Sequence, residues 1–267
     1  MPGVPTGPAK SPLPAPVALA LRATYPGLAA KAAACKKVSR NVSDECRARA
    51  LNASALGSDG QPVDFDMFGR NDAKGWDFRS LSSITRLVVH NGGYSAAGNR
   101  DTWERKGVAS HYTIERSGHI VQHVGEEQAA GHAKGWNKDS IGIELNIGKL
   151  PSSGRSCNDA DGDYEKDPKT QKYKATFAPL DPKKPEDVAE VRAACEPTAK
   201  QYESLRRLAY VISLRTSVPY DDLGIVGHCQ SGGTHGDPKA FDWRELGLSN
   251  AEHRKSVGSC RWFDIHP

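Results

Sequence analysis

The sequence lacks several features that would assign it to well-known classes of protein. It has no run of about 18 apolar residues, so we expect no transmembrane helix. It has no stripe of Lys or Arg interleaved with aromatic residues, and its formal net charge of +4 is small for 267 residues, so a nucleic-acid partner is not expected. It also has no CxxC pair and no internal repeat. What remains is a globular chain whose slight basicity suits an anionic polymer.

The amino-terminal region lacks a basic start followed by an unbroken apolar segment. Arg22 interrupts its most apolar part, so we interpret it as neither a signal peptide nor an anchor. Residues 1–15 are rich in Pro and Gly and are predicted to be disordered. Residues 16–80 are predicted to form a helical extension. The main domain is predicted over 81–267, with a polar surface insertion at 149–196.

The six cysteines are even in number, which favours disulfides over a structural zinc site. Their proximity in sequence suggests the pairs Cys35–Cys46, Cys157–Cys195 and Cys229–Cys260. Six buried, reduced thiols are the alternative. The disulfide interpretation implies an oxidising compartment, so we expect an extracytoplasmic location, reached by a signal removed beforehand or by another export route.

Short apolar runs alternate with helical patterns along the main domain. Strands are predicted for TRLVVH (85–90), for a hairpin at 110–116 and 119–124, and for 141–148 and 223–228; an amphipathic helix is predicted over 197–216 and a last helix over 240–248. This mixture predicts an α/β (α+β) fold with a mixed central β-sheet flanked by helices.

Two histidines and one aspartate lie at the ends of these predicted elements. His90 ends one strand, His228 ends another, and Asp237 lies in the glycine-rich loop GHCQSGGTHGD that follows. Two imidazole nitrogens and one carboxylate can hold a zinc ion and leave its fourth position open, and a water bound there ionises near neutral pH. The pattern therefore predicts one catalytic zinc ion per chain.

Five sequence words occur in an order that resembles a known family: VVHN, SHYTIERSGHIVQHV, AGHAKGWN, SIGIELNIG and GHCQ…GDPKAFDW. They are similar to the zinc-dependent N-acetylmuramoyl-L-alanine amidases of type 2, which share a fold with the peptidoglycan recognition proteins. The resemblance covers roughly residues 84–243 without the insertion. It implies cleavage of the amide between N-acetylmuramic acid and L-alanine in peptidoglycan, with His90, His228 and Asp237 as zinc ligands. Asp237 stands where phage and animal relatives have Cys.

The same resemblance assigns catalytic roles to two further residues. Glu144 matches the glutamate that the amidases place near the metal, and a carboxylate in an apolar strand suits a general base with a raised pKa. The alternative for Glu144 is a solvent-facing position on the strand. His235 stands where relatives commonly have Lys, so it is expected to stabilise the oxyanion as a hydrogen-bond donor.

Three residues are candidates for substrate binding. Asn91 is expected to bind substrate carbonyls, although Asn before Gly-Gly is also common turn chemistry. His132 matches a family histidine of the substrate cleft. Trp136 offers a stacking face for a sugar or peptide.

Three other histidines and one cysteine lie outside the proposed set of ligands, catalytic residues and substrate contacts. His111 fits either a role behind the metal ligands or a place in the core. His119 and His123 are expected to be exposed on the hairpin. Cys229, next to His228, is expected to pair with Cys260 rather than to act as a fourth metal ligand.

Two other functions are compatible with the sequence. A peptidoglycan-binding module of the same fold would bind without turnover, and a zinc hydrolase could act on another amide. The resemblance favours hydrolysis, because non-catalytic relatives typically lose a metal ligand and all three ligands are present here.

Overall fold

The computed structural model describes residues 58, 63–65, 78–158, 163–166, 173–177, 179–231 and 236–254. The predicted disordered segment 1–15 and most of the predicted extension 16–80 lie outside this set. So do four of the candidate site residues, Cys35, Cys46, His235 and Cys260. Among the helices that are described, none combines the length and apolar character that a membrane span requires.

The described residues form eight strands, four α-helices and three short 3₁₀ segments. In chain order the main elements are β1 (Asp64–Phe65), β2 (Arg86–Asn91), α1 (Ala96–Lys106), β3 (Tyr112–Ile114), β4 (Ile120–Gln122), β5 (Ser140–Leu145), β6 (Asp163–Lys166), β7 (Tyr173–Phe177), α2 (Pro185–Cys195), α3 (Ala199–Arg215), β8 (Ile225–Gly227) and α4 (Asn250–Arg254). The 3₁₀ segments are Leu81–Ser83, His228–Ser231 and Trp243–Leu246.

Six strands form one mixed sheet in the order β1-β4-β3-β5-β2-β8. Strand β2 lies between β5 and β8 and is parallel to both, and β3 is parallel to β5. Strands β3 and β4 form the predicted antiparallel hairpin. The predicted fold class, a mixed central sheet flanked by helices, is confirmed.

Both faces of the sheet are covered, so its central strands are buried throughout. Ile141, Ile143 and Leu145 of β5 face the main core, where Leu205 and Leu208 of α3 also pack. Because side chains alternate along a strand, Ser140, Gly142 and Glu144 of β5 point to the opposite face. That second face carries the polar residues described below.

Helix α3 follows the prediction for 197–216 closely. Thr198 caps its amino terminus, and its hydroxyl accepts a hydrogen bond from the Gln201 amide while the Gln201 side chain binds the Thr198 amide. This reciprocal capping box satisfies two amides that the first turn would otherwise leave unpaired. The buried face of α3 then packs on the sheet.

Helix α1 was not predicted, and its sequence explains why. Of its 11 residues only Ala96, Asn99 and Trp103 are buried, so it shows little apolar periodicity. Its ends are nevertheless well specified. The Ser95 hydroxyl accepts a hydrogen bond from the Gly98 amide, and Gly107 ends the helix with φ of 66°, a left-handed conformation that suits glycine.

Three other expectations need correction. The last predicted helix, 240–248, is a 3₁₀ turn at Trp243–Leu246, since Gly247 with φ of 75° stops it. Within the predicted helical extension 16–80, Asp64–Phe65 form strand β1, which pairs with β4 at the sheet edge. His123, expected to be exposed, is fully buried, and its Nε2 lies 3.0 Å from the Thr113 hydroxyl.

The predicted insertion is more ordered than its polar sequence indicates. It contains the hairpin β6–β7 and helix α2. The buried residues Val191, Ala194 and Cys195 of α2 form a second apolar cluster together with Ile147, Leu150, Cys157 and Ala240. The predicted disulfide Cys157–Cys195 is confirmed and lies within this cluster. The insertion 149–196 therefore contains regular secondary structure that its polar sequence did not indicate.

Candidate metal centre

Three parallel strands bring the polar candidates to one edge of the sheet. In the register of β2 and β5, His90 lies opposite Glu144. In the register of β2 and β8, Val89 lies opposite Gly227, so His228, the next residue, comes level with His90. Parallel strands end at the same edge, and their carboxyl ends deliver these side chains side by side.

Asp237 completes the cluster from the loop that follows His228. Its Oδ1 lies 3.1 Å from Nδ1 of His228, and its Oδ2 lies 3.4 Å from Nδ1 of His90. The loop is fixed by a hydrogen bond from the Cys229 amide to the Asp237 carbonyl, 2.8 Å, and the Asn91 amide donates to Oδ2 at 3.3 Å.

The cluster has the composition of a divalent metal site. One ligand atom from each of His90, His228 and Asp237 lies within 4.8 Å of the others. Two imidazole nitrogens and one carboxylate oxygen are ligands that zinc accepts, and three protein ligands leave one position for solvent or substrate. The donor set therefore fits a catalytic rather than a closed structural site.

Asp237 is held in its charged form. Burial alone would raise its pKa, but the flanking imidazoles of His228 and His90 outweigh burial and hold the pKa well below its usual value. A carboxylate that stays ionised is available to a cation throughout the working pH range.

Glu144 behaves in the opposite way. It is 8% exposed, so the alternative of a solvent-facing strand residue is wrong. Burial and the neighbouring charge of Asp237 raise its pKa well above the usual value, and the nearby Ser110 hydroxyl offsets this in part. Two carboxylates beside one site thus differ in proton affinity, the pattern expected when one is a ligand and the other a proton carrier.

His111 and His132 lie behind the metal ligands. Nδ1 of His111 accepts a hydrogen bond from the Gly142 amide at 3.0 Å, and its Nε2 lies 2.9 Å from the Gln128 carbonyl. Burial, with the nearby charge of Arg79, lowers the pKa of His111 to about 3, so this ring is neutral. Burial also lowers the pKa of His132 well below its usual value, helped by the charge of His90.

The candidate site opens into a groove of about 660 Å³. The groove is lined by six residues that the sequence had singled out: His90, Asn91, His132, Glu144, His228 and Asp237. Sequence reasoning missed other lining residues, among them Trp103, Lys106, Asn158 and Lys239. They come from α1, the insertion and the segment after Asp237. The position of Lys239, two residues beyond a proposed ligand, is the one signal that could have identified any of them.

Trp136 is not brought into the groove. The Arg86 guanidinium lies over its ring, 5.1 Å from the ring centre, and the ring packs against the small cluster that contains Val88 and Val226. Asn91 does reach the groove, and its Nδ2 donates to Sγ of Cys157 at 3.2 Å, while its Oδ1 is buried without a partner.

Cys229 is buried and disulfide-bonded, which leaves no thiolate for a fourth metal ligand. Its predicted partner, Cys260, lies outside the described residues. The Cys157–Cys195 bridge contacts Asn91, the residue that follows His90. The insertion is thereby linked directly to the wall of the site.

A family model described as Amidase_2, N-acetylmuramoyl-L-alanine amidase, matches residues 80–240, more than half of the chain. The chain belongs to this amidase family. The matched range contains β2 to β8, the groove and all three candidate ligands. No curated protein matches the sequence significantly.

Solved structures of amidases and peptidoglycan recognition proteins are similar to this chain at low identity. The N-acetylmuramoyl-L-alanine amidase LysC from Clostridium intestinale URNW is 13% identical with a TM-score of 0.43, and the match covers 68% of this chain and 93% of LysC. AmiD from E. coli, solved with an anhydro-N-acetylmuramic acid peptide, is 23% identical with a TM-score of 0.35 over 67% of this chain and 60% of AmiD. PGRP-SA of Apis mellifera is 12% identical with a TM-score of 0.34 over 63% and 84% of the two chains.

Proposed function

We propose that this chain is a zinc-dependent N-acetylmuramoyl-L-alanine amidase that hydrolyses the bond between the lactyl group of N-acetylmuramic acid and the L-alanine of the peptidoglycan stem peptide. The observation that carries the proposal is the convergence of His90, His228 and Asp237 in a groove, with Glu144 in register beside His90. Membership of the amidase family supports the choice of substrate.

The roles of the residues follow from their chemistry. His90, His228 and Asp237 hold the metal. A bound zinc ion would lower the pKa of a water molecule and polarise the scissile carbonyl. Glu144 takes a proton from the attacking water and delivers it to the departing amine of L-alanine. Its raised pKa suits both halves of this transfer, because a base that binds protons more tightly is also a usable acid near neutral pH.

The groove walls offer complementary groups to the substrate. Lys106 and Lys134 are exposed at the groove and can pair with the carboxylates of a stem peptide. The unpartnered Oδ1 of Asn91 can accept a hydrogen bond from a peptide amide. His235, two residues before Asp237, remains our candidate donor to the oxyanion, although it lies outside the described residues. Replacing His235 with Ala should lower kcat, and Lys should restore it.

The direct test uses purified protein and insoluble peptidoglycan sacculi. The expected products are free stem peptides with a new L-alanine amino terminus, identified by mass spectrometry. Chelation should stop their release and zinc should restore it. A non-catalytic binding module would instead co-sediment with sacculi and release nothing, and a different amide hydrolase would release fragments of another mass.

We also propose that the protein acts outside the cytoplasm. The Cys157–Cys195 disulfide supports this, since such bonds persist mainly in oxidising compartments. Alkylation of the native protein before reduction should leave both cysteines unlabelled. Labelling of both in protein taken from its natural location would contradict the proposal.

A further inference from the structure

A chain of four groups runs from the main chain to the metal centre on the polar face of β5. The Ser140 hydroxyl lies 2.6 Å from the Trp136 carbonyl and 3.1 Å from Nε2 of His132. Nδ1 of His132 lies 3.1 Å from Nε2 of His90. Nδ1 of His90 faces Oδ2 of Asp237 at 3.4 Å.

The direction of each hydrogen bond follows from the carbonyl at the end. A carbonyl oxygen only accepts, so the Ser140 hydroxyl donates to Trp136. The Ser140 oxygen must then accept, which places the proton of His132 on Nε2. A neutral imidazole carries one N–H, so Nδ1 of His132 is an acceptor for the Nε2 proton of His90. Neutral His90 therefore has its proton on Nε2, and its Nδ1 lone pair faces Asp237.

His132 is held in place both at its main chain and at its ring. The side-chain oxygen of Asn137 accepts hydrogen bonds from the amides of His132, 3.0 Å, and Ala133, 2.7 Å. On β5, a Cβ atom at Gly142 would lie 2.6 Å from Cγ and 2.7 Å from Nδ1 of His132. Glycine at this one strand position gives the imidazole room to lie against the sheet.

We propose that His132 is a positioning residue for the metal centre, and that the chain from Trp136 through Ser140 and His132 fixes His90 in the tautomer whose Nδ1 ligates the metal. This inference rests on the proposed metal site, and it gives His132 a different role from substrate contact. A metal-bound imidazole is oriented by whatever its second nitrogen binds, and loss of such a partner typically weakens metal affinity by about 10–100-fold.

The test measures zinc affinity by competition with a chromogenic chelator. His132→Leu removes the acceptor and should weaken zinc binding by about 10–100-fold. His132→Gln retains a side-chain oxygen that can accept from His90 and should recover most of the affinity. Ser140→Ala frees the tautomer of His132 without removing the ring, so a smaller, several-fold loss is expected; it also carries the test if His132→Leu does not fold.

His123→Leu is the matched control. Like His132, His123 has a ring nitrogen bonded to a hydroxyl, in its case that of Thr113. His123 is fully buried and stands outside this chain. The zinc affinity of the His123→Leu variant should equal that of the parent protein. In addition, ¹⁵N–¹H spectra of the zinc-loaded parent protein should show protons on Nε2 of both His90 and His132.

The outcomes separate this inference from the proposed function. If the parent protein binds no zinc, both the positioning role of His132 and the proposed zinc-dependent function are overturned. A parent protein that binds zinc, with His132→Leu and Ser140→Ala binding it equally well, overturns the positioning role and leaves the amidase proposal standing. A raised KM with unchanged zinc affinity in His132→Leu would likewise overturn it, because that result identifies His132 as a substrate contact.

Discussion

Two buried polar clusters flank the central sheet, and they differ in how their groups are satisfied. On one side, the buried Arg215 donates to both oxygens of the buried Glu126, and the Tyr112 hydroxyl donates to the same carboxylate at 2.7 Å. On the other side, His90, His228 and Asp237 direct ligand atoms toward one another, with Glu144 alongside.

The first cluster needs no further partner, because the charges of the Arg215 guanidinium and the Glu126 carboxylate balance and the neutral Tyr112 hydroxyl donates to the same carboxylate. The second combines two carboxylates of opposite pKa shift with two imidazoles, so it gains most from a group that is not part of the chain. Burial of charge is therefore not by itself a sign of function. A surplus of acceptors around one point is the informative feature.

The largest expected effect is the loss of a metal ligand. Asp237→Ala removes the anionic ligand and should reduce both zinc binding and amide hydrolysis to background, since the two imidazoles alone give an incomplete site. Metal analysis and release of stem peptide measure the two effects. Asp139→Ala is the control, because Asp139 forms a surface ion pair with Arg86. Full activity of Asp237→Ala would contradict the proposed centre.

Glu144→Gln should lower kcat by about 10²–10⁴-fold, the usual contribution of a general acid–base, while zinc affinity stays the same. The exposed Glu104, changed to Gln, is the control. In the parent enzyme, kcat should fall as the pH drops through the raised pKa of Glu144, because the base must be unprotonated to act. An unchanged kcat in Glu144→Gln would rule out the proton-transfer role.

The same substitution should stabilise the metal-free protein at neutral pH. The pKa of Glu144 is raised in the folded state, so above the ordinary carboxyl pKa the unfolded chain ionises while the folded chain resists ionisation. Glu144 therefore costs stability there, and the cost disappears below the ordinary pKa. Tm measured against pH should show the gain from Glu144→Gln growing from acidic to neutral pH; a gain that is constant with pH would contradict the shift.

Arg215→Met should act on stability alone. It leaves Glu126 buried without its cation, a change that typically costs about 3–5 kcal/mol. Denaturant unfolding measures this loss, and Arg215→Met with Glu126→Gln in the same chain should recover part of it. Zinc affinity of the folded variant should be unchanged. A large loss of zinc affinity would show that the two clusters are coupled rather than separate.

The smallest expected effect is that of the insertion disulfide. Cys157→Ser with Cys195→Ser opens a link across 38 residues and should lower the free energy of unfolding by about 3–4 kcal/mol. Because Cys157 contacts Asn91, KM should also rise. If KM does not change, the disulfide stabilises the domain without shaping the groove.

Much of the fold could be predicted from local sequence. The apolar runs of β2 and β5, the hairpin β3–β4 and the capped helix α3 all carry strong periodic signals. Helix α1 and the structured parts of 149–196 could not be predicted, because their buried residues are few and pack on partners distant in sequence. His123 was misjudged for the same reason: its burial depends on Trp103, whose ring it meets at 4.9 Å.

The candidate site divides in the same way. His90, His228 and Asp237 were predicted as metal ligands and Glu144 as a general base. These predictions rested on residue type, on position at strand ends and on the resemblance to the amidases. Trp136 was assigned to the substrate cleft, yet its ring lies under Arg86 and outside the groove. Asn158 enters the groove without any sequence signal, and Lys239 has only its position two residues beyond Asp237. Their contact, 3.3 Å from Nζ of Lys239 to the Asn158 carbonyl, joins segments 81 residues apart.

The amino-acid sequence by itself determined which side chains could ligate a metal and which segments would become strands, because both depend on residue type and short-range periodicity. The tertiary structure alone decided that β2, β5 and β8 lie parallel and in the register that aligns His90 with Glu144 and His228. It also decided the sequence of hydrogen bonds from Trp136 to His90. Strand register and the direction of hydrogen bonds arise from pairing between distant segments, and no local pattern encodes them.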